Sequence, residues 1–197
     1  MPDADAFERC IAGGGVAVFG ADTVYGLACD PERRDAVERL YALKGRAPDK
    51  PSAVMFFDAE LAVAALPELG VRTRALMGRL LPGGVTLLLP NPRGRFPLAG
   101  AGALGLRVPD VPALRGVRRP VLQTSANEAG APDARRLDEV PEAIRAGSDL
   151  VLDAGELPGT PSTVIDLRRF EAAGEWEVVR AGAVAEGTVA RAVAAGG

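Results

Sequence analysis

Short apolar runs alternate with amphipathic stretches along the chain, and this alternation constrains the fold more than any other feature. Runs such as 16–19 and 85–89 predict buried strands, whereas 33–43 and 70–81 place apolar side chains at helical spacing. The 24 glycines and 16 prolines supply many turns between short elements, which argues against a helical bundle. The sequence therefore predicts an α/β or α+β fold.

The same patterns give an element order for the rest of the chain. We expect further strands at 53–57, 105–108, 120–123, 150–152, 163–167 and 176–179, and further helices at 4–12, 58–66, 136–145 and 187–194. Residues 21–26 form a polar segment just beyond a strand end. A chain of 197 residues with 48% hydrophobic content suits one core, and no linker or repeat divides it. We expect a single domain over 1–197.

Several classes of site are excluded by residue types that the chain lacks. It contains no histidine, which removes the commonest general base, the Ser/His and Cys/His nucleophile pairs and most structural zinc sites. Cys10 and Cys29 have no partner at metal-ligand spacing, so we expect no protein-bound metal. The first residues are acidic and lack a basic n-region, and no apolar run approaches the ~20 residues that span a bilayer. We expect a soluble cytoplasmic protein that does not enter membranes.

Basic residues are distributed unevenly. Residues 69–120 carry nine arginines against one acid, Asp110, which indicates either a solvated face or an anion-binding surface. Of the 23 basic residues only two are lysines, Lys44 and Lys50, and both lie in one short loop. Unless they cluster by chance, these positions need a compact ammonium, as contacts with phosphate oxygens often do.

Polar clusters follow several apolar runs, where open α/β sheets place their ligands. Each cluster alone is weak evidence, because such residues also cap helices and form turns. No Walker A pattern is present, and Gly13–Gly15 precedes its strand, so it is neither a P-loop nor a dinucleotide fingerprint. The clusters are Asp22 with Thr23 and Tyr25, the Lys44/Arg46/Lys50 loop, Arg107, the 124–127 turn, 161–163 and 180–182.

Taken in order, these segments resemble the signature of the YrdC family. The resemblance covers about residues 8–185, and the ordered set is more specific than any of its members. The matching segments are Asp22-Thr-Val-Tyr-Gly-Leu27, Lys44-Gly-Arg46, Pro82-Gly-Gly-Val-Thr86, Gly105-Leu-Arg-Val-Pro109, Thr124-Ser-Ala-Asn127, Pro161-Ser-Thr-Val-Ile-Asp166 and Arg180-Ala-Gly182.

The resemblance implies a twisted mixed sheet, flanked by helices, around a deep basic cleft. It implies a nucleotidyltransferase that makes threonylcarbamoyl-AMP and pyrophosphate from L-threonine, bicarbonate and ATP, with Mg²⁺. The product would pass to a threonylcarbamoyl transferase for tRNA N6-threonylcarbamoyladenosine modification. By position, the implied ATP-binding residues are Lys44, Arg46, Lys50, Ser125, Asn127 and Arg180, with Arg46 and Lys50 catalytic, and the implied threonine-binding residues are Thr23, Arg107 and Ser162.

Five residues depart from the family pattern and leave other functions open. Gly20-Ala21 replaces a usual Pro-Thr, Met55 a common His, Ala103 a frequent Thr and Gln123 a small residue. A changed pocket would permit a paralogue that adenylates another carbamate or carboxylate. The arginine-rich stretch 69–120 would suit a protein that binds double-stranded RNA or tRNA without this activity. A third alternative is an α/β domain with no catalytic role.

Overall fold

A computed structural model describes residues 2–47, 51–100 and 102–196, and within these ranges nine strands form one sheet. The strands are β1 (Ala17–Gly20), β2 (Tyr25–Cys29), β3 (Ala53–Met55), β4 (Val85–Pro90), β5 (Ala103–Arg107), β6 (Val121–Ser125), β7 (Leu150–Val151), β8 (Thr163–Asp166) and β9 (Glu177–Arg180). Their order across the sheet is β7-β1-β2-β6-β3-β5-β4-β8-β9.

The sheet is mixed. Strands β3 and β5, β4 and β8, and β1 and β7 pair in parallel, whereas the other neighbours pair antiparallel. The helices are α1 (Pro2–Ala12), α2 (Arg34–Lys44), α3 (Ala59–Ala65), α4 (Val71–Leu80), α5 (Glu142–Gly147), α6 (Phe170–Ala173) and α7 (Glu186–Ala194). In the described part of the chain, no helix is long and apolar enough to cross a membrane. The predicted α/β class with a mixed sheet is confirmed.

Two apolar clusters lie on opposite faces of the sheet. The larger packs Leu40 of α2, Leu76 of α4 and other helical side chains against Leu27 and Leu122. In the smaller cluster, Phe7 of α1 meets Phe19 of β1 edge to face at 5.2 Å between ring centroids. Side chains alternate along a strand, so Val121, residue 123 and Ser125 share the face on which α1 packs. This second face carries the polar segments.

The sequence pattern missed one strand and merged two short elements. Residues 25–29 were expected partly within a polar segment, yet they form β2, which is buried along its whole length. A strand buried on both faces has no polar alternation that would reveal it. The helix expected at 136–145 is a single 3₁₀ turn, Leu137–Glu139, followed by α5. Pro141 separates them because proline disfavours helical geometry in the residue before it.

Candidate functional site

Lys44 joins the end of α2 to the turn that follows β6. Its side chain is 4% exposed, and its ammonium donates to Ser125 O at 2.7 Å, Ser125 Oγ at 3.3 Å, Asn127 O at 2.9 Å and Asn127 Oδ1 at 2.6 Å. Ser125 Oγ also donates to Asn127 Oδ1 at 2.6 Å. An ammonium has three N–H donors, so these acceptors occupy all of them. The structure thus brings Lys44, Ser125 and Asn127 into one cluster.

The backbone at Gly45 turns the chain out of α2 and into the basic loop. Gly45 adopts the left-handed conformation, with φ 62° and ψ 31°, and the amides of Gly45 and Arg46 donate to Ala42 O and Tyr41 O. Arg46 Nη2 donates to Pro51 O at 2.5 Å across the loop. Lys50, expected to be catalytic and to bind ATP, lies outside the described residues.

The charge of the Lys44 cluster depends on pH. Burial lowers the pKa of Lys44 to about 8; the positive charge of Arg46 acts in the same direction, whereas Asp133 opposes it. The ammonium therefore begins to lose its proton close to physiological pH. An anion bound nearby would favour the charged form and raise this pKa again.

Arg107 forms a second cluster at the end of β5. Its side chain is 4% exposed, and Nη2 donates to Asp22 Oδ1 at 2.7 Å and to Thr23 Oγ1 at 3.2 Å. Burial lowers the pKa of Arg107, Arg180 adds to this effect, and the Asp22 carboxylate opposes it. Among the described residues, Nε of Arg107 has no hydrogen-bond partner. A buried guanidinium N–H without a partner fits an incoming carboxylate.

Ser162 and Arg180 lie beside this second cluster. Arg180 Nη2 donates to Ser162 O at 2.7 Å and to Ser162 Oγ at 3.1 Å. Ser162 Oγ and Thr86 Oγ1 lie 2.7 Å apart, as a hydrogen-bonded pair. Because Arg180 also acts electrostatically on Arg107, Thr23, Arg107, Ser162 and Arg180 belong to one polar region.

The two clusters meet at the turn before β2. Thr23, which contacts Arg107, lies two residues before Tyr25, and Tyr25 O accepts a hydrogen bond from Ala126 N at 2.9 Å. Ala126 lies between Ser125 and Asn127 in the first cluster. The backbone therefore ties the Arg107 end of the site to the Lys44 end.

The segment that carries Arg180 is fixed by a close approach of two backbones. A Cβ added at Gly182 would lie 2.3 Å from Pro161 O, and Ala183 N donates to the same oxygen at 2.8 Å. A methyl group cannot be accommodated there without moving the backbone. Gly182 therefore holds Arg180 against Ser162.

Replacing Gly182 with alanine is expected to displace Arg180 and to weaken ligand binding by about tenfold or more, with a loss of stability of about 1–3 kcal/mol. Gly187→Ala in α7 is the matched control, because a Cβ there meets only Arg191 Nη1 at 3.7 Å. Alanine in a helix should leave stability equal or raise it. Thermal unfolding and ATP titration of both variants measure the effect, and equal behaviour of the two would refute this role of Gly182.

Comparison with known proteins identifies the family. The model of the Sua5/YciO/YrdC family, described as "Telomere recombination", matches residues 9–182. The chain belongs to this family. The match begins within α1 and ends at Gly182, so it includes both polar clusters of the Sua5/YciO/YrdC domain. The predicted YrdC-type membership is confirmed.

Individual relatives agree with this assignment. The threonylcarbamoyl-AMP synthase of Stutzerimonas stutzeri is 35% identical over 171 residues, covering 83% of this chain and 91% of the relative. The structure of P. abyssi Sua5 complexed with L-threonine is 27% identical with a TM-score of 0.83, covering 95% of this chain and 56% of that one. The structure of E. coli YciO is 25% identical with a TM-score of 0.77, covering 94% of this chain and 92% of YciO. This chain thus spans little more than half of the P. abyssi protein.

Sequence reasoning gave no role to three residues that shape this Sua5/YciO/YrdC site. Asp22 pairs with Arg107, Thr86 pairs with Ser162, and Gly182 permits the close backbone approach. Each of the three lies inside one of the segments that match the family signature, so the sequence indicated their positions. Their roles depend on partners many residues away, which motif spacing does not reveal.

Most arginines of 69–120 contact nearby protein groups. Arg95 pairs with Glu68, Arg115 pairs with Asp110, and Arg79 donates to Ala192 O. Arg74 donates to Leu69 O and Pro67 O, and Arg72 stacks over Phe170. These contacts favour the interpretation of a solvated face over a continuous phosphate-binding surface.

Proposed function

We propose that this Sua5/YciO/YrdC protein is an L-threonylcarbamoyladenylate synthase. It forms threonylcarbamoyl-AMP and pyrophosphate from L-threonine, bicarbonate and ATP. The observation that carries the proposal is the buried guanidinium of Arg107, which retains an unpartnered N–H among the described residues. Relatives named threonylcarbamoyl-AMP synthase at 35% and 36% identity support it, as does the threonine complex of P. abyssi Sua5.

The threonine end of the site is built around Arg107. Its Nη2 contacts Asp22 and Thr23, and guanidinium has five N–H donors in all. The remaining donors bind the amino-acid carboxylate, a group that arginine recognises well. Thr23 and Ser162 supply hydroxyl groups to the polar part of the same substrate.

The nucleotide end is built around the 124–127 turn. Ser125 and Asn127 contact the nucleotide, and Lys44 acts by holding both residues in place, because its own donors are occupied. Arg46 and Lys50 hold the ATP phosphates, and Arg180 closes over the nucleotide. In this arrangement Lys44 positions the nucleotide-binding residues, whereas Lys50 binds phosphate.

The reaction requires little acid-base catalysis from the protein. The threonine amine and bicarbonate give a carbamate and water. A carbamate oxygen then attacks the α-phosphorus, and the bond to the β-phosphate breaks with release of pyrophosphate. Mg²⁺ enters bound to ATP, and the cationic side chains stabilise the charge that develops on the phosphates. Such a mechanism is compatible with a chain that lacks histidine.

Pyrophosphate release with ATP, Mg²⁺, bicarbonate and each amino acid in turn tests the proposal. We expect release with threonine and little with serine, valine or other amino acids. Release without amino-acid preference would favour a paralogue that adenylates another carbamate. No release, together with salt-sensitive binding of double-stranded RNA, would favour an RNA-binding protein. An active protein is expected to pass its product to a threonylcarbamoyl transferase that modifies tRNA.

The pKa of Lys44 predicts how ATP binding depends on pH. Below pH 8 the ammonium is charged and affinity should be flat, whereas above about 8 the free protein loses this charge. A bound triphosphate raises the pKa of Lys44, so binding takes up a proton and affinity falls as pH rises. Calorimetric titration across this range measures the effect, with adenosine as a phosphate-free control. An ATP affinity that stays constant through pH 8 would disprove it.

A further inference from the structure

The side chain of Gln123 is nearly buried, and its amide forms no hydrogen bond within the part of the chain that the structure describes. It lies on β6, is 5% exposed, and is the only glutamine of the chain. Neither its Oε1 nor its Nε2 forms a hydrogen bond with a described residue. Among the described side-chain atoms, those fully buried without a partner are Nε of Arg107 and Nε of Arg145, so the amide of Gln123 remains reachable from solvent. Its position therefore suits a group that receives a ligand.

The amide lies over Gly26 on the neighbouring strand β2. A Cβ added at Gly26 would be 2.9 Å from Gln123 Nε2 and 3.2 Å from Phe19 Cε1. Glycine at this position leaves room for the long side chain of Gln123. The amide is thereby held on the face of the sheet that also carries Ser125.

Strand register places Gln123 between the two ends of the site. On β6, Ser125 belongs to the nucleotide end, and Gln123 precedes it by two residues on the same face. Two residues further back, Val121 pairs with Met55, and Met55 pairs with Arg107. The row of residues that contains Gln123 therefore lies between the row of Arg107 and the row of Ser125.

The neighbours of Gln123 in its own row are small or apolar. Gln123 pairs with Ala28 and Ala53, and Ala53 pairs with Gly105, which pairs with Leu88. Of the five residues that form this row from β2 to β4, Gln123 is thus the one whose side chain can form hydrogen bonds. A ligand that reaches from Arg107 to Ser125 must cross this row.

We propose that Gln123 is a positioning residue that hydrogen-bonds the carbamate group of the substrate midway between the two ends. This inference rests on the proposed function, since it places the carboxylate at Arg107 and the nucleotide at Ser125. A carboxamide offers one acceptor oxygen and two N–H donors. A carbamate offers an N–H and two oxygens, so the two groups are complementary. The contact orients the carbamate oxygen toward the α-phosphorus.

Gln123→Met tests the role because methionine has a similar volume and removes only the hydrogen-bonding groups. We expect kcat for pyrophosphate release to fall by about tenfold or more, as when one oriented donor is removed from an active site. The KM for threonine and the calorimetric Kd of ATP should change by less than about threefold. The melting temperature should change little, because the amide of Gln123 forms no hydrogen bond with a described residue.

Two further variants separate positioning from packing. Gln123→Glu keeps the length but places a carboxylate beside the carbamate, so its kcat should fall at least as far. Leu122→Met lies on the opposite, helix-covered face and should retain wild-type kcat. The inference would be overturned if Gln123→Met kept the wild-type kcat. It would also be overturned if this variant lost activity through weaker ATP binding, or if its melting temperature fell. If the wild-type protein itself releases no pyrophosphate with threonine, the proposed function fails first and the inference with it.

Discussion

Replacing Arg107 with methionine is expected to lower kcat/KM for threonine by about 100-fold or more. The substrate carboxylate would lose its charged partner in a buried site, and truncation of such a pair typically costs about 2–5 kcal/mol. Arg107 is 4% exposed, so water cannot replace the lost donors well. Pyrophosphate release at varied threonine concentration measures the effect. ATP binding in the absence of threonine should be nearly unchanged.

A double variant separates binding from folding in this prediction. Arg107→Met alone leaves the Asp22 carboxylate, 11% exposed, without its 2.7 Å partner, and breaking a buried pair in this way costs about 3–5 kcal/mol of stability. Asp22→Asn combined with Arg107→Met removes the uncompensated charge and should recover much of that loss, while activity stays low. Arg115→Met serves as the control, since its pair with Asp110 is exposed. Threonine-dependent activity in the double variant would contradict the assignment of Arg107.

Lys44→Met and Lys50→Met are expected to fail in different ways. Lys44→Met leaves Ser125 O, Asn127 O and Asn127 Oδ1 without their donor, so stability should fall by about 2–3 kcal/mol and ATP affinity should fall with it. Lys50→Met should abolish pyrophosphate release while its melting temperature stays at the wild-type value. Arg46→Ala should likewise abolish pyrophosphate release. Thermal unfolding and ATP titration distinguish the two lysines. Equal loss of stability in both variants would show that Lys50 is not a dedicated phosphate-binding residue.

Local sequence patterns were sufficient for most elements of the fold. Helix α2 and strand β4 follow directly from apolar periodicity, and the glycine after Lys44 marks the end of α2. Strand β2 could not be predicted in this way, because a fully buried strand lacks alternation. The nine-stranded order also lies beyond local patterns, since it depends on pairings between distant segments.

The candidate site was found as a set of segments rather than as a geometry. Composition singled out Lys44, but its contact with Ser125 joins residues 81 positions apart. Arg107 was matched to a motif, whereas its pairing with Asp22, 85 positions away, determines how it is held. The amide of Gln123 lies over a glycine of another strand. Such contacts depend on strand register, and register is fixed by the packing of the whole sheet.

Incorporation of labelled bicarbonate into the adenylate product tests the central claim most directly. The wild-type protein is incubated with threonine, ATP, Mg²⁺ and ¹³C-bicarbonate. The products are then separated, and their masses are measured by mass spectrometry. We expect threonylcarbamoyl-AMP that carries the label and forms in equal amount with pyrophosphate. An adenylate of threonine itself without the label, or no adenylate while ATP stays intact, would contradict the proposed reaction.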